Sequence, residues 1–355
     1  MKKKFISTLL ALTTAFTVLS GCGSTETTAD ASEKETLRVI GWNSAIAHID
    51  SVIAYTGGFY EKQGLDIEFT YNNTNPDNIQ ALLEDKADLV GAGATAVLQY
   101  IDQGSDIVII GGQMSLGETV YVRPERVEEF PELTEETLAG KKVGVTRMNT
   151  GDIAFRKILK DRGVDLSKIE FVELDSQATV TEAVLKGEVD LGINFLTYRQ
   201  SAEAQGLVPI SQLDAEDEWP GFICCRLFTT RDKLETNRDA YVKAVKANIE
   251  AYALLQTDKD KAIEEARKGL EIDADVLEEE IYNYGHIGLS PNPDLKNTKE
   301  FYQAMVDIGY IEGNVNIEDH IDVTLFIEAL DELLVEDPDN EVYLALKAES
   351  DATNY

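Results

Sequence analysis

From residue 37 onward, short apolar runs alternate with stretches of helical period. Leu37-Arg38-Val39-Ile40-Gly41 predicts a strand, and residues 50–63 predict a helix that stops at Gly64, a C-cap position. Leu65 to Tyr71 alternates apolar and polar residues, as a half-buried strand does. A helix over 76–85 with Pro76 in its first turn follows. Then come a buried strand at 88–93, a helix over 95–103 and a strand at 107–110. The pattern restarts after a connector rich in Pro and Glu at 123–134. Strands at 142–146, 169–174 and 189–193 alternate with helices over 152–162, 180–186 and 197–205. Such alternation predicts two α/β units, each on a mostly parallel sheet. A last strand over 222–229 precedes helices over 239–256, 259–270, 274–284, 298–308 and 323–334. These helices need a sheet to cover. They are placed mainly on the first unit, so the chain crosses between units twice. The acidic stretch 336–355 has few apolar residues, and no element is predicted there.

The N-terminus has a different pattern. Lys2, Lys3 and Lys4 precede an apolar run from Phe5 to Leu19, too short for a membrane span and ending in small residues. Leu19-Ser20-Gly21-Cys22 resembles a bacterial lipobox. The resemblance implies that residues 1–21 are removed as a lipoprotein signal peptide and that Cys22 is diacylated. Two acyl chains, at about 0.8 kcal/mol per buried methylene, hold a protein at a membrane. Residues 22–35 read as a flexible tether.

Composition then excludes several classes. Hydrophobic residues make up 43% and charged residues 27% of the 355, as in ordinary soluble domains. The formal charge of −33 becomes −36 once the three leader lysines are removed, which argues against nucleic acid as a partner. His48, His286 and His320 show no ligand spacing with Cys22, Cys224 or Cys225, which argues against a metal. Cys224 and Cys225 are neighbours in an apolar run and are expected to be buried free thiols.

Three motifs bring in a family. Gly58-Phe59-Tyr60-Glu61-Lys62-Gln63-Gly64-Leu65-Asp66-Ile67-Glu68, Leu138-Ala139-Gly140-Lys141-Lys142-Val143-Gly144-Val145 and Leu185-Lys186-Gly187-Glu188-Val189-Asp190-Leu191-Gly192 keep their order over residues 37–232. They resemble the binding proteins for sulfonates, taurine, nitrate and thiamine-pyrimidine precursors, the NMT1/THI5-like family. The resemblance implies a type II periplasmic-binding-protein fold: two α/β lobes, a cleft between them and a helical C-terminal region. Lobe 1 is expected over 36–125 and 226–335, lobe 2 over 126–225, and a tail over 336–355.

Open α/β sheets bind ligands beyond the carboxyl ends of their strands, so the strand ends nominate the site. In the first lobe these are Trp42 as a flat wall, Asn43 and Ser44 as polar groups, His48, Ala94 and Thr95 at a helix start, and Gln113. In the second lobe they are Thr150, Gly151 and Asp152 at a helix start, then Asn194 and Phe195. The family's anion-holding position resembles 150–152, but Asp152 places a carboxylate there and admits an amine-bearing ligand. The expected function is a lipid-anchored, extracytoplasmic, monomeric receptor of an ABC importer, working with a permease on a small organic solute and needing no cofactor. The alternative is a thiamine-pyrimidine-synthase-like enzyme on the same fold; Cys224-Cys225-Arg226 falls short of the Cys-rich run that such enzymes carry.

Overall fold

Two five-stranded sheets built on one plan organise the chain. A computed structural model describes residues 35–72, 74–195, 197–214 and 218–355. The leader, Cys22 and nearly all of the expected tether lie outside the described residues. In chain order the described strands are β1 (Glu35–Gly41), β2 (Leu65–Tyr71), β3 (Leu89–Gly93), β4 (Ile107–Gly112), β5 (Met114–Leu116), β6 (Glu118–Val122), β7 (Lys142–Thr146), β8 (Glu170–Leu174), β9 (Leu191–Phe195), β10 (Val208–Gln212), β11 (Cys225–Thr230) and β12 (Ile287–Leu289).

The first sheet runs β2-β1-β3-β11-β4 and the second β8-β7-β9-β6-β10. In each, four strands run in one direction and the fifth is inserted antiparallel to them: β11 between β3 and β4, β6 between β9 and β10. The inserted strands are the ones that lie next to the crossings between lobes. The two crossing segments run side by side. Cys224 N donates to Met114 O at 3.1 Å and Leu116 N to Phe222 O at 3.2 Å. β5 also pairs with β12. Strands β3, β4 and β9 are buried along their whole length, which accounts for their unbroken apolar runs.

The C-terminal helices cover the first sheet, with Arg238–Thr257 packed on Ile49–Thr56 and on Thr324–Glu336. Helix Leu295–Asp307 instead touches both lobes, through Ala94–Asp102 in one and Thr150–Asp161 in the other. One apolar cluster therefore joins Leu98 and Ile101 to Ile153, Phe155 and Phe301 across the lobe boundary. Trp219 stacks on Phe301 with ring centroids 5.5 Å apart. No helix among the described residues is long and apolar enough to cross a membrane.

Several expectations change. The helix predicted over 50–63 is two, Ile49–Thr56 and Phe59–Lys62, broken where Gly58 takes a left-handed φ of 76°. Glu118–Val122 belongs to the second sheet, so the chain enters it well before residue 126. The five-residue run Glu-Thr-Val-Tyr-Val carries too weak a period to announce a strand. β5, β10 and β12 are also short strands that the pattern does not predict. Residues 274–284 form helix Ala274–Glu278 followed by a π-helical turn, Glu279–Asn283. The acidic end is a docked helix, Glu341–Thr353, capped by Asn340 and burying Tyr343, Leu346 and Ser350. Glu35, assigned to the tether, already pairs with Leu65 in the first sheet.

Candidate functional site

A cavity of about 380 Å³ opens between the lobes at the carboxyl ends of β1, β7, β8 and β9. The first lobe contributes Trp42, just past β1, and the turn from Thr74 to Asp77. The second contributes Thr146, Arg147 and Asn149 after β7, Asp175 to Gln177 after β8, and Phe195 and Tyr198 around the end of β9. Larger hollows of about 530 and 560 Å³ lie elsewhere, around Phe130 and Arg162 and around Leu82 and Tyr241, away from these strand ends.

Three helices point their N-termini at the cavity, each with its own cap. Thr74 accepts from Asp77 N at 3.3 Å, Asn149 from Gly151 N at 2.9 Å and Ser176 from Thr179 N at 3.2 Å. The remaining amides favour an electron-rich ligand group. Asp77 and Asp175 stand exposed at the mouth, and the exposed Arg147 is paired with Glu173 at 3.5 Å. Met148 holds a left-handed φ of 55°, a strained conformation for a residue with a side chain. Its carbonyl accepts from Asn75 Nδ2 of the other lobe at 3.4 Å. Thr95 Oγ1 donates to Asn149 O at 3.4 Å, a second bond across the cleft.

The aromatic walls are Trp42 and the edge-to-face pair Phe195–Tyr198, centroids 5.5 Å apart. Trp42 Nε1 and Thr146 Oγ1 are buried polar atoms of the lining without hydrogen-bond partners among the described residues. Buried polar groups are normally paired. Two orphans in one cavity define what a ligand must supply: an acceptor for the indole N–H and a partner for the hydroxyl.

Of the residues nominated from the sequence, Trp42 and Phe195 line this cavity. His48 is buried behind Trp42, stacked on it at 5.6 Å, with Nδ1 2.5 Å from Gln113 Oε1. Burial lowers the His48 pKa to about 4, with Asp50 partly opposing, and raises Asp50 to about 6. Gln113 Nε2 donates on to Ser51 Oγ at 3.2 Å. This network braces the wall from below. It also explains Gly91, where a Cβ would lie 2.0 Å from His48 Nδ1.

Ala94, Thr95, Thr150 and Gly151 are buried where the lobes meet. Asp152 faces away into an ion pair with Arg156 at 2.6 Å, and Arg156 lies over the Phe171 ring at 3.5 Å. Burial raises the Asp152 pKa, although Arg156 opposes it. Asn43 turns to the C-terminal region, with Nδ2 donating to Glu271 Oε1 at 3.0 Å; half-buried Ser44 follows it, outside the lining. Asn194 stands one layer back. Its amide contacts Thr181 Oγ1 at 2.7 Å and, oriented to satisfy both neighbours, donates to Gln177 Oε1 at 2.6 Å.

Sequence reasoning missed Asn75, Thr146, Arg147, Asn149, Asp175, Ser176, Gln177 and Tyr198 as lining. The residues after β8 carried a usable signal, since Ser176 before a helical run is a cap. Cys224 and Cys225 are buried free thiols with Sγ atoms 3.4 Å apart, and that contact together with burial pushes the Cys224 thiol well up. Among the described residues no three His, Cys, Asp or Glu side chains are grouped to hold a metal.

Known proteins share this architecture. The chain is 25% identical over 280 residues to YtlA of Bacillus subtilis (strain 168), assigned as a binding protein, covering 76% of this chain and 82% of YtlA. The periplasmic nitrate-binding protein NrtA from Synechocystis PCC 6803 superposes with a TM-score of 0.71 at 14% identity, over 85% of this chain and 90% of NrtA. The periplasmic aliphatic sulphonate-binding protein SsuA from Escherichia coli does so with a TM-score of 0.66 at 18% identity, over 82% and 99%. These likenesses identify the periplasmic-binding-protein fold. The family model described as NMT1/THI5 like matches residues 45–262, which runs from β2 to β11 and takes in the second sheet whole, and the chain belongs to that family.

Proposed function

We propose that this chain is the extracytoplasmic solute-binding receptor of an ABC importer, capturing a small organic solute between its lobes and handing it to a permease. The observation that carries the reading is the placement of the cavity. Both lobes line it, the lobes touch across its rim, and its inner surface offers aromatic walls with unpartnered polar atoms. A ligand held by both lobes has differential affinity for the closed state, which is what closure requires. The transporter can then distinguish loaded from empty receptor. The names of SsuA and NrtA, as sulphonate and nitrate binders on this fold, support the reading.

The solute class is sulfonate-, pyrimidine- or amine-like, and the receptor works as a monomer that releases it chemically intact. The buried Cys pair packs at the lobe seam, which favours a structural role over the synthase alternative. The lipobox-like Leu19-Ser20-Gly21-Cys22 supports anchoring through Cys22. A thermal-shift screen of sulfonates, pyrimidines, amines and nucleobases tests the function. One class should raise the melting temperature, and mass spectrometry should recover it unchanged. A screen with no hit, or a converted solute, overturns the receptor. Fatty-acid analogue labelling that persists in Cys22→Ala overturns the anchor.

A further inference from the structure

Glu118 is the first residue of β6. Its side chain is fully buried, and among the described residues neither carboxylate oxygen has a hydrogen-bond partner of normal geometry, the Gly151 amide only partly opposing the effect of burial. In the β6–β9 register it stands opposite Phe195, so the two side chains share one face of the sheet. Phe195 is a wall of the interlobe cavity, which puts Glu118 one side chain behind that wall. Gly151 makes the space: a Cβ there would lie 2.5 Å from Glu118 Oε2 and 2.8 Å from Ile193 Cγ2. The Gly151 amide beside it is already given to Asn149 Oδ1 at 2.9 Å. The titratable group that faces Glu118 is the Cys224 thiol on the strand returning to the first lobe. Gly151, Ile193 and Phe195, on the helix and strand packed against it, carry none.

An unpaired carboxyl in such a place destabilises the empty protein, and an apolar residue of similar shape would not. Its partner therefore belongs to another state of the site. The helix N-termini serve an electron-rich end of the solute, whereas the side-chain charges at the mouth favour a cation as the partner of Glu118. Asp77 and Asp175 stand at the mouth, and the lining cation Arg147 is exposed and occupied by Glu173.

We propose that Glu118 pairs with a cationic N–H group at the buried end of the solute, so that the receptor selects amines and other protonated nitrogen bases over anions. This rests on the receptor reading above and names its substrate class. Burial pushes the Glu118 carboxyl well above its usual range, which favours its protonated form in the empty site. When an ammonium arrives with its own protons, Glu118 ionises against it. The Glu118 O–H bond breaks, and that proton passes to the buffer. No other bond changes.

Three probes on one benzyl scaffold test this: benzylamine and benzyl alcohol, matched in shape, and the bulkier anion phenylmethanesulfonate. Each is titrated calorimetrically into wild type, Glu118→Gln and Trp42→Ala, in phosphate and in Tris. The two buffers differ in ionisation enthalpy and so report proton release. Wild type should bind benzylamine at least about tenfold more tightly than phenylmethanesulfonate, a difference of about 1.4 kcal/mol, and release close to one proton. Glu118→Gln keeps the shape and removes the charge. It should abolish both the preference and the proton release, while benzyl alcohol binding stays the same. A preference unchanged in Glu118→Gln, or a wild type that favours the sulfonate, overturns the proposal and leaves the receptor standing, provided Trp42→Ala weakens the probes. If Trp42→Ala leaves every affinity unchanged, or no probe binds wild type, the cleft reading falls and the proposal with it.

Discussion

Thr150 Oγ1 donates to the Cys224 carbonyl at 3.1 Å, and the same carbonyl accepts the Ala94 amide at 2.6 Å. One acceptor thus ties together the first turns of a helix from each lobe. Thr150→Val removes one of these bonds without orphaning the carbonyl, because Ala94 remains. The loss should sit at the modest net value of a hydrogen bond, about 0.5–1.5 kcal/mol. Since the bond fastens the second lobe to the segment that crosses into the first, solute affinity should fall about two- to twelvefold with little change in melting temperature. Titration with the solute found by screening, beside a melt of the empty variant, checks this. A large melting shift with unchanged affinity would make the contact purely structural.

Trp42 is half-buried, walls the cavity and rests on His48. A core tryptophan truncated to Ala costs about 3–5 kcal/mol of stability. Trp42→Ala should cost clearly less than that in the empty protein and should weaken solute binding by at least about tenfold. Chemical denaturation of the empty variant and titration of the solute separate the two effects.

The orphaned Glu118 carboxyl makes a prediction about pH. Its pKa is raised by burial in the folded chain from an ordinary value of 4.5. Both states are protonated below about pH 4.5, and there the group fits the fold as well as it can. As pH rises through the folded value, the native state holds a proton that the unfolded chain gives up, and stability is lost. Glu118→Gln should therefore be more stable than wild type at pH 7, by about 1–3 kcal/mol, with the gain shrinking toward pH 4. Denaturant melts across that range provide the measurement, and a variant less stable than wild type at pH 7 contradicts it.

Asp102 shows the opposite sign. Burial alone would raise its carboxyl, but the Tyr302 hydroxyl at 2.5 Å and the amides of Asn314 at 2.6 Å and Glu312 at 3.1 Å hold it below the usual value. These bonds pin the end of helix Leu295–Asp307 and the following loop to helix Ala94–Asp102. Their contribution is present above the ordinary pKa of 3.8 and lost as pH falls through the folded value. Asp102→Ala should cost about 1.5–3 kcal/mol at neutral pH and should blunt the acid unfolding of the wild type.

Much of the fold was legible because burial imposes local periods. The buried strands β3, β4 and β9 are continuous apolar runs. The helices between them carry caps, such as Ser176 and the left-handed Gly187 at the two ends of Gln177–Lys186. The short strands were not legible. β6, β10 and β12 are three to five residues long, and their pairing depends on partners remote in sequence rather than on their own pattern. The helix Glu341–Thr353 escaped for a related reason: few of its residues are buried, so its apolar stripe is thin.

The site divides along the same line. By itself the sequence determined that ligand-facing residues follow strand ends, because the α/β plan opens its crevice there, and this reached Trp42 and Phe195. Only the tertiary structure decided which neighbours turn inward. Asn43 is drawn to Glu271, Asp152 to Arg156, and His48 beneath Trp42 to Gln113. Each partner lies on a different element or a different turn, and a polar side chain entering a folded interior goes where its hydrogen bonds and charge are satisfied. The sequence lists the groups that must be paired. Packing alone sets which of them, Trp42 Nε1, Thr146 Oγ1 and Glu118, are left without partners among the described residues.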